Sequence, residues 1–209
     1  MISCVVFDMD GTLIDSEHLC NQAFKDLVPE INVPVEKLVG LYGGRKLAWI
    51  FDDIEKRFRC SLPSDIEKRY RQRVYDLFES DLRAFPGVHE ALASINVPIC
   101  IATSAPRAKI KQALTITGLS QYFGDNLFSS YDIGSWKPQP DIFLHAAKNM
   151  DASPSECLVV EDSIAGIEAA LSAGMKVTQY SPSGPPVCES TFDGYDKLND
   201  LIYGFHTAS

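Results

Sequence analysis

Asp8 and Asp10 stand two residues apart at the end of an apolar run, residues 2–7, with Gly11 and Thr12 directly after them. Two carboxylates that close repel each other, and they are rarely kept beside an apolar strand unless a cation or a proton holds them. Gly11 permits a sharp turn there, and Thr12 brings a hydroxyl and an amide to the same mouth. One carboxylate could attack phosphorus while the other moves a proton. The blander alternative is a strand-ending turn, since Asp-x-Asp-Gly is common in loops and in calcium-binding segments. The Gly-Thr-Leu-Ile-Asp-Ser that follows, with an apolar strand before it, favours the chemical reading.

Three further groups fit the same chemistry. Thr103 and Ser104 close the apolar run 97–103 and precede Pro106. A hydroxyl beside the amides of a helix start can hold a phosphoryl oxygen, or can simply cap the helix. Lys137 sits in Trp136-Lys137-Pro138-Gln139-Pro140. A loop lysine is usually a solvated charge, but the prolines fix this backbone. A pinned ammonium could neutralise both a nucleophilic carboxylate and a transferring phosphoryl group. Glu161 and Asp162 follow the apolar run 157–160. An acidic pair before a helix can be no more than a favourable cap on its dipole. With Asp8 and Asp10 nearby, though, four acids would crowd one edge, and a divalent cation would relieve them. A hard divalent cation takes oxygen ligands and can keep several waters, so one or two carboxylates plus a phosphate oxygen suffice.

The elements that must position these groups are legible as two patterns. Residues 17–82 follow helical spacing: Leu19, Ala23 and Leu27; Leu47, Ile50, Phe51, Ile54 and Phe58; Ile66, Tyr70, Val74, Leu77 and Phe78. Pro34, the Gly43-Gly44 pair and Pro63 punctuate them. This predicts a compact, all-helical insert. Beyond residues 83–87, strands at 97–103, 127–129, 157–160 and 176–180 alternate with helices. Their expected inner faces are Ile110, Ala113 and Leu114, then Ile142, Phe143, Ala146, Ala147 and Met150, then Ile164, Ile167 and Leu171. Residues 181–186 read as a loop, and residues 191–203 as one short strand and a terminal helix. Alternating strands and helices imply an α/β fold, a doubly wound parallel sheet with right-handed crossovers. Ligands gather at the carboxyl ends of such strands, where strand order reverses. That rule brings Asp8, Asp10, Thr103, Glu161 and Asp162 to one edge.

Composition narrows the partners. The chain has 209 residues, 45% hydrophobic and 22% charged, as in a soluble globular protein of one core or a core with a small insert. A net charge of −9 argues against a nucleic-acid partner, so any phosphate must meet local positive charge from a few lysines, arginines or a metal. The six cysteines show no Cys-x-x-Cys spacing, which suits a reducing compartment. No basic-then-apolar leader is expected, because the Asp8 motif comes too early for one. No apolar run approaches the roughly 18 residues that span a bilayer. A cytoplasmic enzyme with no membrane partner is the expectation.

The four groups together resemble the motifs of the haloacid dehalogenase (HAD) superfamily, in the branch of β-phosphoglucomutases and sugar-phosphate phosphatases. The carriers are Asp8-Met9-Asp10-Gly11-Thr12-Leu13, Thr103-Ser104, Lys137-Pro138-Gln139-Pro140-Asp141-Ile142-Phe143 and Glu161-Asp162-Ser163 with the Ala165-Gly166-Ile167 that follows. They run in the family's order, each at an element boundary, and the resemblance covers residues 3–16 and 97–180. It implies a Rossmann-like catalytic core, residues 1–16 and 84–209, and a helical cap, residues 17–83. It implies Asp8 as nucleophile and Asp10 as general acid and base. Thr12, Thr103, Ser104 and Lys137 would bind the phosphoryl group. Mg²⁺ would be held by the Asp8 and Asp162 side chains and the Asp10 backbone carbonyl, with Glu161 steadying its waters.

Within the cap, Arg45 and Lys46 follow the glycine pair and are candidates to contact the substrate, although a solvent-facing helix start would look the same. The implied activity is hydrolysis of a small phosphorylated metabolite, a sugar phosphate or a sugar-acid phosphate such as 6-phosphogluconate, by a monomer. Two alternatives remain open. The family's β-phosphoglucomutases carry a histidine in the first cap helix; here Cys20 holds that spacing, with His18 close by. A phospho-aspartate receiver module also combines acids, a hydroxyl, a lysine and Mg²⁺, but its acid pair follows the first strand and its phosphorylated Asp ends a later one.

Overall fold

Six short strands form one parallel sheet: β1 (Cys4–Phe7), β2 (Ile99–Thr103), β3 (Leu127–Ser129), β4 (Cys157–Glu161), β5 (Lys176–Tyr180) and β6 (Thr191–Phe192). Their order is β3-β2-β1-β4-β5-β6, so strand order reverses between β1 and β4. Both of these strands are buried along their whole length, which is why they read as continuous apolar runs without alternation. Register sets Phe7 against Ile101 on one side and Val160 on the other. The residues that follow, Asp8 on β1 and Glu161 on β4, therefore end level, and the Asp8 amide donates to the Val160 carbonyl at 2.9 Å. In the computed structural model, residues 1–43, 45–182 and 186–204 are described. Gly44 of the glycine pair and residues 183–185 of the predicted loop lie outside the described residues.

The chain divides into two units, Met1–Ile14 with Ala84–Ser209, and Asp15–Arg83. The second is helical: α1 (Glu17–Leu27), α2 (Val35–Tyr42), α3 (Leu47–Phe58) and α4 (Ile66–Asp81). Its core joins Phe24, Val28, Leu38, Tyr42, Ile50 and Ile54, with Phe24 stacked on Tyr70 at 4.4 Å between ring centroids. The α2 helix has no counterpart among the apolar spacings named above. Pro34 does more than interrupt: it stands at the helix N-cap, just before a first turn that tolerates its fixed φ.

In the first unit, α5 (Val88–Ser94), α6 (Arg107–Ile116), α7 (Ser120–Phe123), α8 (Ser130–Ile133), α9 (Asp141–Asn149), α10 (Ile164–Ser172) and α11 (Leu198–Gly204) accompany the sheet. The predicted faces of α6 and α9 are the buried ones, except that Met150, only partly buried, lies just past the end of α9. The predicted face of α10 holds only at Ile167. Ile164 and Leu171 are 61% and 59% exposed, while Gly166, Ile167, Ala169 and Ala170 are buried. Small residues turn inward because this helix must lie close to the sheet, so bulk is a misleading guide to its inner side. Cys4, Cys100 and Cys157 are free thiols packed in the same apolar layer. Among the described residues no helix is long and apolar enough to cross a membrane.

Candidate active site

Strand β1 delivers Asp8 to the point where strand order reverses, and Asp8 is only 6% exposed there. Burial alone would drive such a carboxyl to its neutral form. Lys137 answers this, donating to Asp8 Oδ1 at 2.5 Å and to Glu161 Oε1 at 2.6 Å, with 6% of its own side chain exposed. One ammonium thus bridges carboxylates from two adjacent strands. Burial still raises the Asp8 pKa to about 7, against the lowering by Lys137, and the Glu161 charge adds to the rise. Burial acts to lower the Lys137 pKa, but its two carboxylate partners outweigh burial and raise it.

Glu161 has partners on both of its carboxylate oxygens. Its Oε2 accepts from the Asp162 amide at 2.8 Å, the Ser163 amide at 2.7 Å and the Ser163 hydroxyl at 2.9 Å, while Oε1 meets Lys137. A fully buried carboxylate needs such partners, and here they make it the clamp that holds Lys137. Gly166 makes room for it. A Cβ at that position would fall 1.8 Å from Glu161 Oε1.

Asp162 lies against the Asp8–Thr12 turn. A Cβ on Gly11, whose φ is +81°, would come within 2.5 Å of Asp162 Oδ2. The Thr12 hydroxyl donates to Asp162 Oδ1 at 2.8 Å, so in this structure it serves the carboxylate where phosphate is the sequence-based expectation. Two positioning contacts have no signal in the sequence. The buried Tyr195 hydroxyl donates to the Thr12 carbonyl at 2.5 Å, and the Gln179 side chain donates to the Asp162 carbonyl at 3.2 Å. Thr103 is buried at the end of β2, its hydroxyl accepting from the Ala105 amide at 3.1 Å, and Ser104 next to it is exposed.

Asp10 is paired with Lys109 of α6 at 2.8 Å, a residue that no motif singles out. A lysine in the first turn of the helix after Thr103, in a turn holding no acid, is the available clue. The crowding of four acids is therefore met largely by protein donors: Lys137 for Asp8 and Glu161, Lys109 for Asp10, Thr12 for Asp162. Among the described residues no group of three or more His, Cys, Asp or Glu side chains gathers as a metal cage. The donors still suit a hard cation that keeps much of its water. Asp8 and Asp162 offer carboxylate oxygens, and Asp162 is packed against the same turn as the Asp10 carbonyl.

Arg45 and Lys46 belong to the helical unit and are both exposed. The Arg45 guanidinium lies 5.1 Å from the ring centre of Trp49, and Lys46 is the N-cap of α3.

A model of the haloacid dehalogenase-like hydrolases matches residues 2–174, and the chain belongs to that family. It is 34% identical over 205 residues to the 6-phosphogluconate phosphatase of Escherichia coli, covering 96% of this chain and 93% of the relative. Hexitol phosphatase B of the same organism is 30% identical over 182 residues, covering 84% and 82%. A crystal structure of a haloacid dehalogenase-like protein from Agrobacterium tumefaciens superposes with a TM-score of 0.87 at 28% identity, over 99% of this chain and 100% of that one. The chain is a phosphoric monoester hydrolase of this family.

Proposed function

We propose that the chain is a Mg²⁺-dependent phosphatase of small phosphorylated metabolites, a sugar phosphate or a sugar-acid phosphate such as 6-phosphogluconate, working through an aspartyl-phosphate on Asp8. The observation that carries it is the buried Asp8–Lys137–Glu161 cluster at the reversal of strand order. A carboxylate held there, with a cation already beside it, is a nucleophile whose charge and the incoming phosphoryl charge share one ammonium.

In the first step an Asp8 oxygen attacks phosphorus as the ester P–O bond breaks, and Asp10 gives its proton to the departing alkoxide. In the second, water attacks phosphorus while Asp10 takes a proton from it. The acyl-phosphate P–O bond breaks, returning the Asp8 carboxylate and inorganic phosphate. Lys137, Thr103 and Ser104 orient the phosphoryl oxygens, and Thr12 holds Asp162. Bound Mg²⁺ would be held by the Asp8 and Asp162 side chains and the Asp10 carbonyl, and it supplies neutralisation of the charge on the phosphoryl oxygens. The helical unit acts as the cap that excludes water, with Arg45 and Lys46 meeting the far end of the substrate. The enzyme works as a monomer, and its six free thiols suit the cytoplasm.

The test is phosphate release from 6-phosphogluconate, glucose 6-phosphate, β-glucose 1-phosphate, phosphoglycolate and glycerol phosphate with Mg²⁺. EDTA and Asp8→Asn serve as controls. Release abolished by both is expected. Conversion of β-glucose 1-phosphate to glucose 6-phosphate without net phosphate release would replace the phosphatase by a mutase.

A further inference from the structure

Each aspartate of the Asp8-x-Asp10 pair has its own lysine, from a different segment of the same unit. Asp8 meets Lys137 in a buried contact, whereas Asp10 meets Lys109 with about a quarter of each side chain exposed, 25% and 23%. Lys109 is the third residue of α6, the helix that follows the strand ending on Thr103. Local preference does not explain a lysine there. The first turn of a helix favours acids, and this turn holds Arg107 and Lys109 with no acid. Arg107 is engaged outward with Asp132 at 2.7 Å, while Lys109 points to the Asp10 carboxylate. Cations against a helix dipole are the kind of local rule-breaking that marks a functional site.

We infer that Lys109 is a positioning residue for the proton-transfer step, fixing the Asp10 carboxylate in the geometry from which it serves the leaving oxygen. The inference rests on the reading of Asp10 given under Proposed function. Asp10 lies in a turn beyond the end of β1, in an isolated bridge to Ile14, so the strand does not hold its side chain as β1 holds Asp8. Proton transfer needs hydrogen-bond distance and alignment, and a misplacement of about 1 Å can cost on the order of 100-fold in rate. A partly exposed ion pair contributes little to stability, so the consequence of this one is expected in turnover and not in folding.

The experiment compares steady-state kinetics of wild type, Lys109→Gln, Lys109→Arg, Asp10→Asn and the Asp10→Asn/Lys109→Gln double variant. The best phosphomonoester of the panel is the substrate. Lys109→Gln should lower kcat by about 10- to 100-fold, with KM changed less than about twofold and the melting temperature unmoved. Lys109→Arg should recover most of the loss, because the cation is restored. In the Asp10→Asn background Lys109→Gln should cost nothing more, since the group it positions is already disabled. A second readout needs no turnover: in metal-free protein the Lys109 side-chain NMR signal should shift on Asp10→Asn. Full kcat in Lys109→Gln, or losses that multiply in the double variant, would overturn the inference while leaving the phosphatase reading intact. Wild-type protein that releases no phosphate from any substrate would overturn that reading and the inference with it.

Discussion

Among the described residues only the sheet unit buries a cluster of ion pairs, while both units carry pairs on their outsides, Asp193–Lys197 in the one and Asp26–Arg73 in the other among them. In the sheet unit, Lys137, Asp8 and Glu161 come from three segments distant in sequence and meet in a buried cluster. In the helical unit, Asp53–Arg57 and Glu67–Arg71 are neighbours one helical turn apart on the outside. A buried charge must be matched by a partner that the fold delivers, so its loss is felt throughout the site. A surface pair one turn apart is assembled by the helix itself and matters little. Charge that costs something to keep is the better guide to where the chemistry lies.

Breaking the buried cluster should give the largest effect on folding. Lys137→Met leaves Asp8 and Glu161 facing each other without their shared cation, and should cost about 3–5 kcal/mol in urea unfolding as well as phosphate release. A variant as stable as wild type would mean that the cluster relaxes freely and the contrast between the units is false.

Two glycines sharpen the comparison. In α10, Gly166→Ala would drive a Cβ to 1.8 Å from Glu161 Oε1, so the clamp on Lys137 must move. A loss of about 1–3 kcal/mol is expected. In α2, Gly40 is exposed and a Cβ added there would meet nothing within 4 Å, so Gly40→Ala should raise stability by about 0.5–1 kcal/mol. Thermal melts of the two variants should move in opposite directions. A Gly166→Ala melt that rose together with that of Gly40→Ala would contradict the packing described at Gly166.

The smallest effect belongs to the surface pair. Hydrogen bonds from Arg57 hold the Asp53 carboxyl below its ordinary range. A depressed folded value means the contribution is complete above the unfolded carboxylate value and disappears as pH falls through the folded one. Arg57→Ala should therefore melt slightly below wild type near neutral pH, and the gap should close in acid. A gap that widened in acid would reverse the assignment.

The same contrast governs how much can be read from sequence. Apolar runs stopping on Asp8, Thr103 and Glu161 mark strand ends, because a strand buried on both faces has no room for polarity until it leaves the sheet. The partners of those residues are harder to read. Glu161 as a clamp depends on its burial and on the space at Gly166, neither of which is a local property. Lys109 facing Asp10 depends on how α6 leaves β2. The α10 face is misread when large residues are taken as the inner ones, because the close approach needs Gly166, Ala169 and Ala170. In the helical unit, the apolar spacing locates α1, α3 and α4. Arg45 and Lys46 are exposed there, and exposure does not separate a substrate contact from a solvated charge.

In the proposed mechanism Asp8 carries the phosphoryl group. Rapid acid quench during turnover of the best substrate, followed by peptide mass spectrometry, should find one phosphoryl group on the peptide bearing Asp8 and none in the Asp8→Asn protein. Steady phosphate release with that peptide unmodified at every quench time, and undiminished in Asp8→Asn, would show that water attacks the substrate directly and that Asp8 is not the nucleophile.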